Sequence, residues 1–364
     1  MQEWTDPYNS FNSFKVLLWR EQLEGCITGD LLPPIIVDTD PAGICNLNCI
    51  WCNAYDFMKK NPLLIPEDHL LKLADFYSYW GVKGTCIAGG GEPLMNPGIN
   101  NFLLRLQKNN VEAAIISNGT LQKGDHFNIA ADTCRWYGFS MDAGTPETWL
   151  KVKGVKNEKL WYKVLKNIES LTDAVHKRNS KCDVGYKFLL HPDNAYDILP
   201  AVKLAKSLGV KDFQLRPVGW DNIEKTKGKA PISFTDLFPV INQQIEEALK
   251  YEDENFRFFG IRHKFSPTMK RKVNFKKCRA ISLSSTFSAD GKVHLCFDMR
   301  GNEDLIMCSH YPDPYKVLNY WGSTKHLAMI DSIDPNKCPR CTYGAYNEMI
   351  EQCIIEDGFC RNFP

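Results

Sequence analysis

The chain has 364 residues, a net charge of +1 and 14 cysteines. That length builds one large barrel or two domains with a buried core, and the near-neutral charge without an extended basic run argues against a nucleic-acid binder held by phosphate contacts. No apolar run reaches the length of a membrane span and the first forty residues lack a secretory pattern, so a cytoplasmic protein is expected, in which clustered cysteines read as metal ligands.

Taken in chain order, residues 1–34 read as an N-terminal extension, and Ile35 to Thr39 as a first buried strand. Next comes Cys45-Asn-Leu-Asn-Cys49-Ile-Trp-Cys52, with three and then two residues between the thiols. Three thiolates this close can hold three irons of a four-iron cluster and leave the fourth open. A zinc site usually takes four protein ligands and an electron-transfer cluster takes a fourth cysteine, so zinc completed from elsewhere is the competing reading of the triplet alone.

Pro66 to Trp80 carries apolar residues at helical spacing, and Thr85 to Ala88 reads as a strand running into Gly89-Gly90-Gly91-Glu92-Pro93. Glycines let a ligand approach the backbone closely, and Glu92 offers a negative partner for an ammonium group. Ile99 to Lys108, Leu160 to Val175 and Ala195 to Leu208 read as helices, and Ala113 to Ser117, Trp136 to Met141, Asp183 to Leu190 and Asp212 to Leu215 as strands. Six strands alternating with helices imply a parallel α/β sheet, curled by right-handed crossovers into a barrel or part of one. Ligands in such folds sit at the carboxyl edge of the sheet. That edge carries Gly89 to Glu92, Asn118, Ser140, Asp142 and Arg216, each of which also has an ordinary reading as turn, cap or surface residue.

The triplet, the aromatic residue before its last cysteine and the Gly-Gly-Glu-Pro step together resemble the radical S-adenosylmethionine (AdoMet) family. The resemblance implies a partial six-stranded (β/α)6 TIM-like barrel over residues 35–250. It implies a 4Fe-4S cluster on Cys45, Cys49 and Cys52, and AdoMet held by Trp51 against adenine, Gly89, Gly90, Gly91 and Glu92 at the methionine amine, and Ser140 at ribose or carboxylate. Lys151 or Lys153 stands where relatives place a basic group toward the carboxylate. Asn118, Asp142 and Arg216 face AdoMet or substrate. Reductive cleavage to a 5′-deoxyadenosyl radical and abstraction of a substrate hydrogen would follow, with a reductant such as flavodoxin or ferredoxin.

Beyond Tyr251 the rhythm stops and Cys278, Cys296, Cys338 and Cys341 appear, the first two flanking a β-hairpin with an Ala289-Asp290-Gly291 turn. Cys278, twelve residues, Gly291, four residues and Cys296, before a Cys-x-x-Cys, resembles the auxiliary-cluster extension of the same family. The longer form, called SPASM, has cysteines six and ten residues further on, where this chain has Asn347 and Glu351. The shorter twitch form, with four cysteines and one auxiliary 4Fe-4S cluster, is the better match, assigned to 251–345 with a tail over 346–364. Four thiolates also suit structural zinc. Cys353 and Cys360 read as tail residues, a hydrogen-atom donor or a degenerate second cluster. Cys26, Cys86, Cys134, Cys182 and Cys308 read as small buried hydrophobes. Asp298, Arg300 and His191 are the candidates for catalytic acid, base or radical partner, and Tyr343, Tyr346, Asn347 and Glu348 for a substrate pocket. The favoured substrate is a small polar metabolite, a sugar, amino-sugar or nucleoside, oxidised or epimerised at carbon. The alternative is a peptide or protein side chain, and a non-enzymatic iron-sulfur or zinc protein is a third class.

Overall fold

The computed structural model describes residues 13–218, 232–260, 273–338 and 341–355. Seven strands run parallel and pair in chain order: β1 (Ile36–Thr39), β2 (Gly84–Ile87), β3 (Glu112–Ser117), β4 (Cys134–Ser140), β5 (Asp183–Leu190), β6 (Asp212–Pro217) and β7 (Arg257–Gly260). On the free side of β1 follow β8 (Ser284–Phe287), parallel to β1, then β9 (Lys292–His294) and β10 (Ile306–Ser309), each antiparallel to its neighbour. Among the described residues the result is one ten-stranded sheet whose edge strands, β7 and β10, do not pair with each other.

Local chemistry sets the elements. The helix Glu67–Trp80 starts after Pro66, stops at Gly81 in the left-handed region (φ 97°), and buries Leu70, Leu73, Ala74, Tyr77 and Trp80, a stripe at helical spacing. Burial of each of its leucines, Leu70 and Leu73, contributes roughly 1.5–3 kcal/mol. In the helix Pro146–Lys153, Thr145 accepts a hydrogen bond from the Thr148 amide, Pro146 opens the first turn and Gly154 (φ 63°) ends it. Along the strands burial alternates. Val37, Ile87, Ile115, Tyr137, Phe139, Tyr186, Phe188, Phe213 and Leu215 belong to the core, whereas Asp38, Cys86, Trp136, Ser140, Lys187 and Arg216 are only half-buried. Side chains of a strand leave it on opposite faces, so the second set lines the concave face.

Three sequence expectations need correction. The barrel portion does not end at 250, because β7 adds a seventh parallel strand, four residues long and too short to carry a period of its own. The cysteine-rich segment assigned to 251–345 is not set apart from the barrel, since β8 forms a parallel ladder with β1. The described part of the tail assigned to 346–364 is structured, since Gly344–Met349 and Ile350–Ile355 are helical and the Asn347 and Glu351 side chains are buried. Cys360 lies outside the described residues, as does the side chain of Cys353. No helix among the described residues is long and apolar enough to cross a membrane.

Candidate functional site

Between β1 and the helix Tyr55–Lys60 the cysteine loop is held mainly by backbone. The Gly43 amide donates to the Leu63 carbonyl at 2.7 Å, the Glu92 amide to Ile44 at 2.9 Å, and the amides of Asn48 and Ile50 to the carbonyls of Lys153 and Val152 at 3.0 Å each. Such contacts need glycines. A Cβ on Gly91 would lie 2.1 Å from the Ile44 carbonyl oxygen, and one on Gly154 2.2 Å from that of Asn48. The Gly89-Gly90-Gly91 run, expected to admit a ligand, is thus required by the protein's own packing: Gly90 faces the Phe57 ring and Gly89 the Asp40 carboxylate.

The thiols of Cys45, Cys49 and Cys52 are half-buried and electrostatically coupled. Burial first, then Glu92 and the neighbouring thiols, pushes Cys45 up to about 12. Its sulfur accepts from the Leu47 amide at 3.5 Å and faces the Asn118 Nδ2 at 3.9 Å. A cleft of about 290 Å³ runs along the loop, lined by Cys45, Cys52, Tyr55, Met58 and Lys59 among others.

Glu92 is the hub of the strand ends. Its carboxylate accepts from the Ser117 hydroxyl at 2.7 Å and from the amides of Asn118 at 2.8 Å and Leu94 at 3.2 Å. Burial raises its pKa against these bonds. The Asn118 carboxamide joins Asn46 of the cysteine loop at 2.9 Å. Asp142, at φ 62° just past β4, pairs with Lys153 at 2.5 Å, the side chains 3% and 2% exposed. Burial works against the Lys153 charge, but Asp142 and the thiols of Cys49 and Cys45 outweigh it and raise the pKa. Of the two lysines, Lys153 turns inward, while Lys151 is 60% exposed and pairs with Asp193 at 3.0 Å. Ser140 closes β4 and Arg216 lies in β6, both half-buried. Trp51 packs on the His191 ring, centroids 5.3 Å apart. His191 caps the turn Pro192–Asn194, Nδ1 accepting from the Asp193 amide at 3.1 Å.

The sequence reading missed the floor of the concave face. Lys187 of β5 reaches the Gln214 Oε1 at 3.2 Å and lies 4.0 Å from the centroid of the Trp136 ring. Burial, with Arg216 nearby, lowers its pKa to about 8. The signal was present: polar residues at alternate positions, Asp212, Gln214 and Arg216 in β6, where a strand buried on both faces would be apolar.

The four C-terminal cysteines lie within electrostatic reach of one another. Cys278 is coupled to Cys338, Cys296 to Cys278 and Cys341, and Cys341 to Cys278 and Cys338. Asp298 accepts from the Thr342 amide at 2.8 Å, tying the segment after Cys296 to that after Cys341. Arg300 binds Asp40 at the end of β1 with two nitrogens, Nη2 at 3.0 Å. Tyr343 is coupled to Asp38, Cys296 and Asp298, between this quartet and the concave face. Its ring meets Phe297 at 5.9 Å and Tyr346 at 6.0 Å. Among the described residues no three His, Cys, Asp or Glu side chains converge closely enough for a single metal ion. A cluster takes one thiolate on each ligated iron, so its ligands need not converge on a single point. The Lys153 charge beside Cys45 and Cys49 suits thiolates.

Residues 40–186 match the Radical SAM superfamily. Similar solved structures include Streptococcus suis SuiB bound to S-adenosylmethionine, at 16% identity over 95% of this chain and 81% of that one, TM-score 0.64. SuiB bound to precursor peptide SuiA matches at 16% identity over 91% and 73%, TM-score 0.62. Native anSMEcpe with bound AdoMet matches at 15% identity over 86% and 89%, TM-score 0.58. No curated protein matches. At these identities the structural likeness speaks for the fold, while the family match covers the cysteine loop, the Glu92 hub and the Asp142–Lys153 pair. Residues 40–186 carry the match to the Radical SAM superfamily, and the first cysteine site lies within them.

Proposed function

We propose that Cys45, Cys49 and Cys52 hold a 4Fe-4S cluster and that Trp51, Gly89, Gly90, Gly91, Glu92, Asn118, Ser140, Asp142, Lys153 and Arg216 hold AdoMet beside it. Cys278, Cys296, Cys338 and Cys341 hold one auxiliary 4Fe-4S cluster. When bound, these groups supply one-electron cleavage of the sulfonium and hydrogen-atom abstraction from the substrate. The observation that carries the reading is the meeting of three thiols, Glu92 and the Asp142–Lys153 pair at the carboxyl edge of one parallel sheet.

The chain's own residues prepare that edge. Glu92 is a buried carboxylate whose charged form burial disfavours and an incoming ammonium would favour. Lys153 offsets the charge of the thiolates. Lys187, Arg216 and Asp38 give the concave face both signs of charge, with Gln214 as a neutral partner, which supports a small polar substrate such as a sugar, amino-sugar or nucleoside, oxidised or epimerised at carbon. Asp298, Arg300 and His191 hold backbone or Asp40, so we assign them positioning rather than catalytic roles. Lys151, paired outward with Asp193, is left out of the AdoMet set. The reductant is a flavodoxin or ferredoxin and the location cytoplasmic. A peptide substrate is the second reading, favoured by the fold shared with SuiB bound to SuiA and with anSMEcpe bound to Kp18Cys peptide.

The test is anaerobic turnover with dithionite, AdoMet and deuterated candidates from both classes. Deuterium in 5′-deoxyadenosine from an amino-sugar or nucleoside supports the first reading, and deuterium from a peptide alone replaces it with the second. No 5′-deoxyadenosine under any condition sinks both.

A further inference from the structure

Asn347 and Glu351 stand four residues apart, on one face of the helix that follows the last cysteine pair. Both are buried, and both are turned on the loop that carries Cys278. The Glu351 carboxylate accepts from the amides of Lys276 at 2.8 Å and Lys277 at 3.1 Å and from the Arg279 guanidinium at 3.3 Å. The Asn347 Oδ1 accepts from the amides of Arg279 at 2.7 Å and Ala280 at 2.8 Å. Those two amides can only donate, so they fix the orientation of the carboxamide. Its Nδ2 is then directed at the sulfur of Cys278, 3.4 Å away.

We propose that Asn347 is a positioning residue for the C-terminal four-cysteine site: with Glu351 it clasps the 276–280 backbone, and its N–H raises the reduction potential of the cluster that Cys278 ligates. The inference rests on the auxiliary-cluster reading above. Reduction adds negative charge that spreads onto the ligating sulfurs, and a donor dipole aimed at one of them favours the reduced form. The same two side chains occupy the positions where a longer cysteine array would continue. Five donors are gathered there by an amide and a carboxylate, so the segment is closed by protein groups and needs no second auxiliary cluster.

The experiment uses the full chain with Cys45, Cys49 and Cys52 replaced by alanine, reconstituted anaerobically, so that only the C-terminal site is read. Iron and sulfide are counted and the midpoint potential is measured with native Asn347, with Asn347→Asp and with Glu351→Gln. Asn347→Asp keeps an acceptor for the two amides but removes the donor and adds charge, and a retained cluster with a more negative midpoint is the expected result. Glu351→Gln keeps an acceptor for the loop amides and leaves the Asn347 donor in place, and the midpoint should stay within error of native. A cluster retained in Asn347→Asp at an unchanged midpoint overturns the proposal, as does a shift of equal size in Glu351→Gln. If Asn347→Asp binds no cluster, Asn347→Ser, which lacks the added charge, replaces it under the same criterion, and loss there too overturns the tuning role. If the native-Asn347 protein itself holds no iron, the auxiliary-cluster reading fails first and takes the proposal with it, an outcome told apart because the parent fails along with the variants.

Discussion

The two cysteine groups are built by opposite means. The Cys45–Cys52 loop is continuous, laid on the sheet edge by backbone hydrogen bonds to Ile44, Asn48, Ile50 and Gly43, with glycines cleared beneath it. The C-terminal quartet comes from separated segments, joined by side chains reaching to backbone: Asp298 to Thr342, Asn347 and Glu351 to the Cys278 loop. A loop fixed by main chain keeps its shape without its ligand. A site gathered by side chains from distant segments owes more of its order to whatever the thiols bind.

The largest expected effect tests whether the groups act independently. Replacing Cys45, Cys49 and Cys52 with alanine should abolish reductive 5′-deoxyadenosine formation, yet leave about four irons of about eight, one cluster per site. Hydrogen exchange on chelated wild type should then show new opening in 276–300 and 338–355 and little change in 42–52. Equal opening in both would break the comparison.

Next in size is the pair at the seam of the first site. Lys153→Met leaves Asp142 buried and unpaired and should cost about 3–5 kcal/mol in urea unfolding. The double variant with Asp142→Asn should recover a large part of that, since no buried charge remains. Additive losses would mean that the two side chains do not act as a pair.

How much of this was legible depends on what carries each feature. The strands of the barrel were readable because alternating burial and intervening helices leave a period, and Asp183 to Leu190 matches β5 residue for residue. The β8 ladder to β1 was not, because Ser284-Ser285-Thr286 is polar in sequence although every residue is buried, and a parallel pairing between positions some 250 apart leaves no local mark. The cysteines themselves were plain at both sites. That the glycines at 89–91 also clear Asp40, Phe57 and Ile44 was not legible, since a sequence shows that a Cβ is missing and not which atom fills the space. Asn347 and Glu351 stood out for not being cysteine, but their hold on the Cys278 loop needed coordinates.

A smaller effect sharpens the account of the first site. Gly91→Ala places a methyl against the Ile44 carbonyl, a backbone atom that cannot swing away, and overpacking of this kind costs about 1–3 kcal/mol. Iron should fall at the first site alone, with the C-terminal site filled as before. Full iron at both sites would show that the loop shifts without losing its ligand geometry.

The smallest effect concerns the contact between the two halves. His310, just past β10, has its Nε2 2.9 Å from the Ser288 carbonyl, so that nitrogen carries the proton, and its Nδ1 accepts from the His69 Nε2 at 2.9 Å. His69, Asp290 and His294 are the titratable groups facing it, and burial dominates, lowering its pKa to about 4. The folded chain therefore holds it neutral while the unfolded chain takes up a proton near the ordinary value of about 6.5. The unfolded state binds more protons below that value, so stability falls as pH drops from about 6.5 toward 4, by about 1.4 kcal/mol at pH 5.5 for this imidazole. His126 and His326, also lowered to about 4 by burial, add to the same slope. His310→Asn should flatten the pH dependence of the urea midpoint between pH 7.5 and 5.5 by one proton's worth while lowering stability at pH 7.5. An unchanged slope would mean that this ring is already protonated in the fold, with the Ser288 and His69 contacts rearranged to accept it.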